Sequence, residues 1–250
     1  RAVGRVFCIA NQKGGVGKTT VALNLADAIA KAGQEVLLVD LDPQCNATGG
    51  LGHRPLPRHP LVSDQPLSEG LLECTTPGLR LLPGSRSFYD IDQLATSGTT
   101  ASQQLVSHLT NCGKTNDYVI LDCPPSLGHL TRAALAASHE VIMPIQCEYF
   151  AMEGLTQMIE VIRDVMRQPG RNLQFGGIVL TMYDPTLELT REVDEDVREF
   201  FGDIVFETVI PRDVSVPEAV SHGQSVLDYA PRSRATRALI ELCLEVMNHE

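Results

Sequence analysis

Residues 5–32 read RVFCIANQKGGVGKTTVALNLADAIAKA, and the architecture of the chain can be worked out from them. The first six residues, RVFCIA, form an apolar run that is typical of a buried strand. From about Lys18 to Ala32 apolar residues recur at helical spacing, and Gly33 follows as a candidate left-handed cap, so this part predicts a helix. A glycine-rich segment therefore connects a buried strand directly to a helix.

The connecting segment, NQKGGVGKTT, has the composition of a phosphate-binding loop. Glycines let backbone N–H groups converge on phosphate oxygens, and the start of the helix adds a partial positive charge. Lys18 can reach the β- and γ-phosphates of a nucleotide, and the Thr19 hydroxyl can bind Mg²⁺. The general pattern G-x-x-x-x-G-K-[ST] requires glycine at position 12, where this chain has Gln12. The segment predicts a variant phosphate loop, with a purely structural glycine-rich turn as the alternative.

The rest of the chain alternates between short runs rich in Val, Ile and Leu and stretches of helical periodicity, which is typical of a mostly parallel sheet with helices on both faces. The predicted strands lie near residues 5–10, 35–40, 79–82, 117–122, 140–145, 175–181 and 204–209. The further predicted helices lie near residues 101–111, 128–137, 152–167, 188–201 and 233–247. The proline-rich residues 52–78 predict a surface excursion. We therefore expect an α/β fold: one domain over residues 1–250, with a doubly wound sheet of about seven to eight strands.

Composition narrows the classes of function. Twenty Lys and Arg against 31 Asp and Glu give a net charge of −11, which argues against a broad surface that neutralises phosphates. Seven cysteines without a C-x-x-C pair favour free thiols over disulfides or zinc ligands. No apolar run reaches the length of a membrane span, and the first residues lack the layout of a signal peptide, so we expect a cytoplasmic protein.

Acidic residues end two of the predicted strands. EVLLVD ends at Asp40 and continues into Asp42, and YVILD ends at Asp122. Because parallel strands end at the same edge of a sheet, these carboxylates should lie where ligands bind in open α/β folds. Asp122 has the usual form of a Walker B residue that holds Mg²⁺ through water, and Asp40 is a candidate for the same Mg²⁺ shell. Strand-end capping is the alternative for Asp40 and Asp42.

The chain resembles the ParA/Soj partition ATPases of the ParA/MinD family along nearly its whole length. Agreement is closest at NQKGGVGKTT, VLLVDLDPQCNAT, YVILDCPPS, PIQCEYFAMEGL, IPR and YAPRSR. From Lys13 onward, KGGVGKTT matches the deviant Walker A loop of that family. The resemblance implies a P-loop NTPase fold, ATP and Mg²⁺ as cofactors, and slow ATP hydrolysis by a homodimer that forms with ATP.

The resemblance also implies roles for individual residues. Lys13 would cross the dimer interface to the phosphates bound by the other subunit, Lys18 would bind phosphates in its own subunit, and Asp42 would orient the attacking water. Glu148 would make contacts across the dimer. The expected nucleotide contacts are Gly14, Gly15, Val16, Gly17, Lys18, Thr19 and Thr20 around the phosphates and Met182, Pro211 and Arg212 around the base.

The chain departs from the family at positions that contact DNA there. Thr186 and Ser215 stand where arginines are expected, and Asp213 replaces an asparagine. Fewer cations weaken binding that depends on the number of phosphates neutralised, so the resemblance leaves nonspecific DNA binding open. Arg232, Arg234 and Arg237 form a remaining basic group, although such a group is more typical of a solvated helix end.

These observations predict an ATP-driven switch for chromosome or plasmid segregation or cargo positioning, with a ParB-like or other stimulating protein as partner. One alternative is an orphan ATPase of the same type that binds DNA weakly or not at all and recognises a protein or polar landmark. Another is a metabolic ATP-dependent enzyme of the same superfamily. Membrane binding is not expected, because the apolar stripe of the last predicted helix is flanked by glutamates and suits packing on the sheet.

Overall fold

The computed structural model describes residues 4–11, 16–58, 67–87 and 99–249. The strands are β1 (Arg5–Ile9), β2 (Val36–Asp40), β3 (Leu72–Glu73), β4 (Leu79–Leu82), β5 (Tyr118–Asp122), β6 (Glu140–Gln146), β7 (Gln174–Tyr183) and β8 (Val205–Pro211). The helices are α1 (Val16–Lys31), α2 (Asn46–Gly50), α3 (Thr99–Cys112), α4 (His129–Ala137), α5 (Ala151–Met166), α6 (Glu188–Phe201), α7 (Ser215–Ser221), α8 (Val226–Tyr229) and α9 (Arg234–Asn248). Short 3₁₀ turns lie at Leu67–Glu69 and Gly202–Ile204.

The strands form one sheet in the order β3-β4-β2-β5-β1-β6-β7-β8. Strand β3 runs antiparallel to β4, and the remaining neighbours pair in parallel. Because β1 lies between β5 and β6, the loop that follows β1 emerges near the middle of the carboxyl edge, where open α/β sheets bind ligands. The predicted doubly wound, mostly parallel sheet of seven to eight strands is confirmed.

The core lies on both faces of the sheet because successive strand residues point to opposite sides. In β1, Val6 and Cys8 join one core, whereas Phe7 and Ile9 join the other. Helices α3, α4, α5 and α6 cover the first face, and α1, α7, α8 and α9 cover the second. Strands buried on both sides explain why the sequence shows continuous apolar runs rather than alternation.

Four short elements were not predicted: β3, α2, α7 and α8. Each is too short to show a period, and hydrogen bonds from elsewhere in the chain help to define two of them. Asp40 Oδ2 accepts the backbone N–H of Thr48 in α2 at 2.9 Å. At the start of α8, Asn24 Oδ1 accepts the N–H of Val226 at 2.8 Å. Strand β3 lies inside the predicted surface excursion and pairs with β4, which follows the excursion. Residues 59–66 of the excursion lie outside the described part.

Helix α9 packs on the sheet as its sequence predicted, since Leu239, Leu242 and Val246 are buried. Within the described residues, none of the helices combines the length and apolar character that crossing a bilayer requires.

Candidate phosphate-binding site

The carboxyl ends of β2 and β5 and the first turn of α1 meet at one edge of the sheet. In the parallel pairing of β2 with β5, Asp40 lies opposite Asp122. Lys18 and Thr19 project from the first turn of α1 into the same region, and both are buried. The structure thus brings together four residues that the sequence predicted to act on phosphates and Mg²⁺. Lys13, Gly14 and Gly15, which the sequence predicted for the same loop, lie outside the described residues.

Lys18 is the central cation of this site and is only 2% exposed. Its ammonium group donates a hydrogen bond to Asp122 Oδ1 and lies 3.7 Å from Asp42 Oδ2. Burial alone would lower the pKa of Lys18, but the attraction of Asp122 and Asp42 outweighs it, and the pKa lies above its usual value. Lys18 is therefore fully charged at neutral pH, which is the state that phosphate binding requires.

The donor set fits a magnesium nucleotide. Thr19 Oγ1 donates to Asp122 Oδ2 at 3.1 Å, so a hydroxyl and a carboxylate oxygen already lie side by side. Mg²⁺ prefers oxygen ligands and is commonly held by one or two carboxylates together with substrate phosphates. Among the described residues, no group of three or more His, Cys, Asp or Glu side chains could hold a metal. Thr19 and Asp122 would hold an ion that ATP phosphates also bind.

Asp40 is tied to its own chain by several hydrogen bonds. Its Oδ1 accepts from the N–H of Asp42 at 3.1 Å, and its Oδ2 accepts from Thr48 Oγ1 at 2.5 Å as well as from the Thr48 N–H. Burial, together with the charge of Asp122, raises the pKa of Asp40 to about 7. Thr48 Oγ1 in turn accepts from the N–H of Gly84 at 2.8 Å. Asp40 thus anchors α2 to the strand ends, and its place in the Mg²⁺ shell stays a prediction.

Asp42 lies between this anchor and Lys18 and is 3% exposed. Its Oδ1 accepts from the N–H of Gln44 at 2.9 Å, so the carboxylate is fixed while Oδ2 faces the lysine. The following Cys45 has φ 58°, a left-handed conformation that is uncommon for residues other than glycine. The chain therefore makes a strained turn between Asp42 and α2.

The residues predicted for the nucleotide base lie at the ends of β7 and β8. Met182 is left-handed with φ 51°, and Tyr183 accepts the N–H of Arg212 through its carbonyl at 3.0 Å, which joins the two strand ends. A cavity of about 300 Å³ opens beside Thr19 and Thr20 and is also lined by Val216, Ala219 and Val220 of α7. Sequence reasoning missed this apolar wall because α7 was not predicted.

Glu148 follows β6 and precedes two exposed aromatic side chains, Tyr149 at 80% and Phe150 at 64% exposure. Their rings meet edge to face with centroids 5.8 Å apart. Large apolar side chains at this exposure are typical of surfaces that other molecules cover. The predicted contact of Glu148 across a dimer stays a prediction.

Thr186 and Ser215, which the resemblance placed where arginines are expected, share one hydrogen-bonding geometry. Thr186 donates to Asp184 Oδ1 through its N–H at 3.0 Å and its hydroxyl at 2.6 Å, and Ser215 donates to Asp213 Oδ1 in the same way at 2.9 and 2.7 Å. The bonds from Thr186 hold the pKa of Asp184 below its usual value. Each of these hydroxyl residues thus stabilises the negative charge of a nearby carboxylate.

Comparisons with known proteins agree with this geometry. A family model described as an AAA domain matches residues 4–175. The sporulation initiation inhibitor protein Soj of Bacillus subtilis is 40% identical over 249 residues, and the match covers 98% of each chain. The chromosome partitioning protein ParA of Caulobacter vibrioides is 41% identical over 255 residues, and the match covers 98% of this chain and 95% of that protein.

A solved structure described as cobyrinic acid a,c-diamide synthase from Mycobacterium smegmatis, with a bound ATP analogue and magnesium, is 35% identical with a TM-score of 0.85. The match covers 99% of this chain and 95% of that one. Together with the Lys18, Thr19 and Asp122 cluster, similarity over nearly the whole chain shows that this protein belongs to the ParA/Soj family of ATPases, whose cofactors are ATP and Mg²⁺.

Proposed function

We propose that this protein is an ATP-driven dimerisation switch that segregates chromosomal or plasmid DNA or positions another cargo in the cytoplasm, with a ParB-like or other protein stimulating its ATPase. The observation that carries the proposal is the buried cluster at the head of α1. There Lys18 contacts Asp122, and Asp42 lies 3.7 Å from the same ammonium group. A phosphate-binding cation, a Mg²⁺ ligand and a candidate for orienting water thus share one small volume.

Phosphate binding requires these residues to exchange partners. In the structure Lys18 is neutralised by Asp122 and Asp42, so a polyphosphate must draw the ammonium group toward its own oxygens. Asp122 and the Thr19 hydroxyl then become available to hold Mg²⁺, which neutralises charge on the phosphates when bound. Asp42, held by the Gln44 N–H, keeps a carboxylate oxygen free to orient the water that attacks the terminal phosphate.

Dimerisation supplies the remaining cation in this proposal. Lys13 reaches the phosphates bound by the partner subunit, where a charge added in trans acts like an arginine finger and contributes roughly 10³–10⁵ in rate. Glu148 and the neighbouring exposed Tyr149 and Phe150 lie at the face that meets the partner. Hydrolysis cleaves the terminal phosphate from ADP, and release of that phosphate removes the charge that Lys13 neutralises. The two subunits then separate.

Asp42→Ala tests the switch. Because Asp42 acts on water rather than on the phosphates, the variant should retain ATP binding, lose about 100-fold or more of its turnover, and accumulate as a dimer. Size-exclusion chromatography with light scattering, with ATP, ADP or no nucleotide, measures the dimer, and Asp42→Asn controls for the side-chain volume. A variant that stays monomeric with ATP would contradict the role of Asp42.

DNA binding belongs to the same proposal. Arg212 and Arg234 are exposed. The Arg212 N–H donates to the Tyr183 carbonyl at 3.0 Å and the Ala235 N–H donates to Asp213 Oδ2 at 3.1 Å, so the ends of β7 and β8 lie close to the start of α9. We expect this surface, with Arg232 and Arg237, to hold duplex DNA weakly and only at low salt. Mobility shifts of random duplex DNA at two salt concentrations test this expectation. They compare Arg234→Ala with Arg167→Ala, a control at an exposed arginine that directly follows α5. If both variants retain DNA equally, this surface is not the DNA-binding surface. If the wild-type protein retains no DNA at either salt concentration, the result favours the protein-landmark alternative.

The similarity to the Mycobacterium smegmatis structure favours a second candidate, an ATP-dependent amide synthase. Because amide formation joins a carboxylic acid to a nitrogen donor, we expect such an enzyme to consume ATP only when both are present. ATP turnover measured without any other small molecule separates the two: basal or DNA-stimulated hydrolysis supports the switch, and hydrolysis that requires an acid and ammonia supports the synthase.

A further inference from the structure

The hydroxyl of Thr181, near the end of β7, has an unusual environment. Thr181 is 2% exposed, and its Oγ1 has no hydrogen-bond partner within the described residues. Other buried hydroxyls do have partners: Thr131 donates to the Ser126 carbonyl, Ser138 to the Ala134 carbonyl, and Thr236 to the Val226 carbonyl. Because an unpaired buried hydroxyl is unfavourable, it points to a partner that binds from outside the fold.

The hydroxyl faces the first turn of α1. A methyl group placed on Gly17 would lie 3.1 Å from Thr181 Oγ1 and 3.5 Å from Gln146 Nε2. Gln146 is the β6 residue paired with Thr181 in the sheet, so both polar groups approach Gly17 in the first turn of α1. The backbone of Gly17 is not left-handed, so glycine matters here because it lets α1 pack closely against the side chains of β6 and β7.

We infer that Thr181 is a further nucleotide-binding residue, whose hydroxyl donates a hydrogen bond to a phosphate oxygen of the nucleotide at the head of α1. The inference rests on the proposed function. Phosphate oxygens accept hydrogen bonds, and the Lys18 ammonium group and the start of α1 attract the same anion to this place. Thr181 would then bind from the β7 side, opposite the carboxylates of β2 and β5.

Thr181→Val and Thr181→Ser test the inference, because Val keeps the shape without the hydroxyl and Ser keeps the hydroxyl. Two quantities are measured on each variant: the thermal midpoint without nucleotide and the Kd for Mg·ATP by calorimetry. For Thr181→Val we expect an unchanged or higher midpoint together with a Kd raised about 10-fold or more. For Thr181→Ser we expect a Kd within about threefold of wild type.

The two measurements distinguish a ligand-binding hydroxyl from a structural one. Loss of a ligand-binding hydroxyl weakens ATP binding without lowering the thermal midpoint, whereas loss of a structural hydroxyl lowers the thermal midpoint. A Thr181→Val midpoint well below that of wild type would show that the hydroxyl stabilises the fold itself, and would overturn the inference. Wild-type ATP affinity in Thr181→Val would overturn it while leaving the proposed function intact. A wild-type protein that does not bind ATP would instead overturn the proposed function, and this inference with it.

Discussion

The buried pair of Lys18 and Asp122 leads to a prediction about stability that is separate from nucleotide binding. Lys18→Ala removes the cation and leaves two carboxylates, Asp122 at 0% and Asp42 at 3% exposure, without it. Removal of one partner from a buried ion pair destabilises a protein by about 3–5 kcal/mol. In a chain of this length 1 kcal/mol corresponds to roughly 2–4 °C, so the thermal midpoint should fall by roughly 6–20 °C.

Thermal denaturation followed by circular dichroism, without nucleotide, measures this effect. Arg167→Ala is the matched control, because Arg167 forms an ion pair with Asp164 in which the two side chains are 75% and 57% exposed. Such exposed ion pairs contribute about 1 kcal/mol or less to the free energy of unfolding. The double variant Lys18→Ala with Asp122→Asn should recover much of the loss, because a neutral amide replaces the unpaired charge.

An unchanged midpoint in Lys18→Ala would refute this reasoning, and so would a double variant less stable than the single one. The result also matters for function. If Lys18→Ala is unfolded at the assay temperature, it fails to bind ATP because the fold is lost and not because the phosphate contact is lost. ATP binding must therefore be measured well below the thermal midpoint of the variant.

Three further predictions concern the surroundings of the site. Gly84→Ala places a methyl group 2.9 Å from Cys45 Sγ and 3.0 Å from Asp40 Cγ, so it should destabilise the fold by about 1–3 kcal/mol in urea denaturation, whereas Gly49→Ala, with open space, should not. Thr186→Arg adds a cation at an exposed position and should steepen the dependence of log DNA affinity on log salt by about 0.9, while Thr186→Gln leaves it unchanged. Burial alone would raise the pKa of Asp213, but hydrogen bonds from Ser215 and the Ala235 N–H hold it below its usual value. A lowered carboxyl pKa stabilises the fold above the pKa of the unfolded chain and loses this effect as pH falls through the folded value. The stability advantage of wild type over Asp213→Asn should therefore shrink from pH 7 to pH 3.

Much of the site could be predicted because it depends on local rules. The strand-to-helix transition around Lys18 shows in periodicity, and parallel strands ending in Asp40 and Asp122 must bring these residues to one edge. The positions of the main strands follow for the same reason, since continuous apolar runs mark strands covered on both faces.

The remaining features depend on contacts between distant parts of the chain. Gly84 reaches Thr48 from 36 residues away, and no local pattern signals that approach. Helix α7, which forms the apolar wall beside Thr19 and Thr20, is too short to show a period.

The sequence by itself determined the class of chemistry, because a lysine and a threonine after a glycine turn and acids at strand ends are local features. Only the tertiary structure decided how those groups are partnered. It pairs Lys18 with Asp122, uses Asp40 to anchor α2 through Thr48, and brings the hydroxyl of Thr181 against Gly17. The physical reason is that hydrogen bonds and burial depend on distances between strands and loops, which become defined only when the sheet assembles.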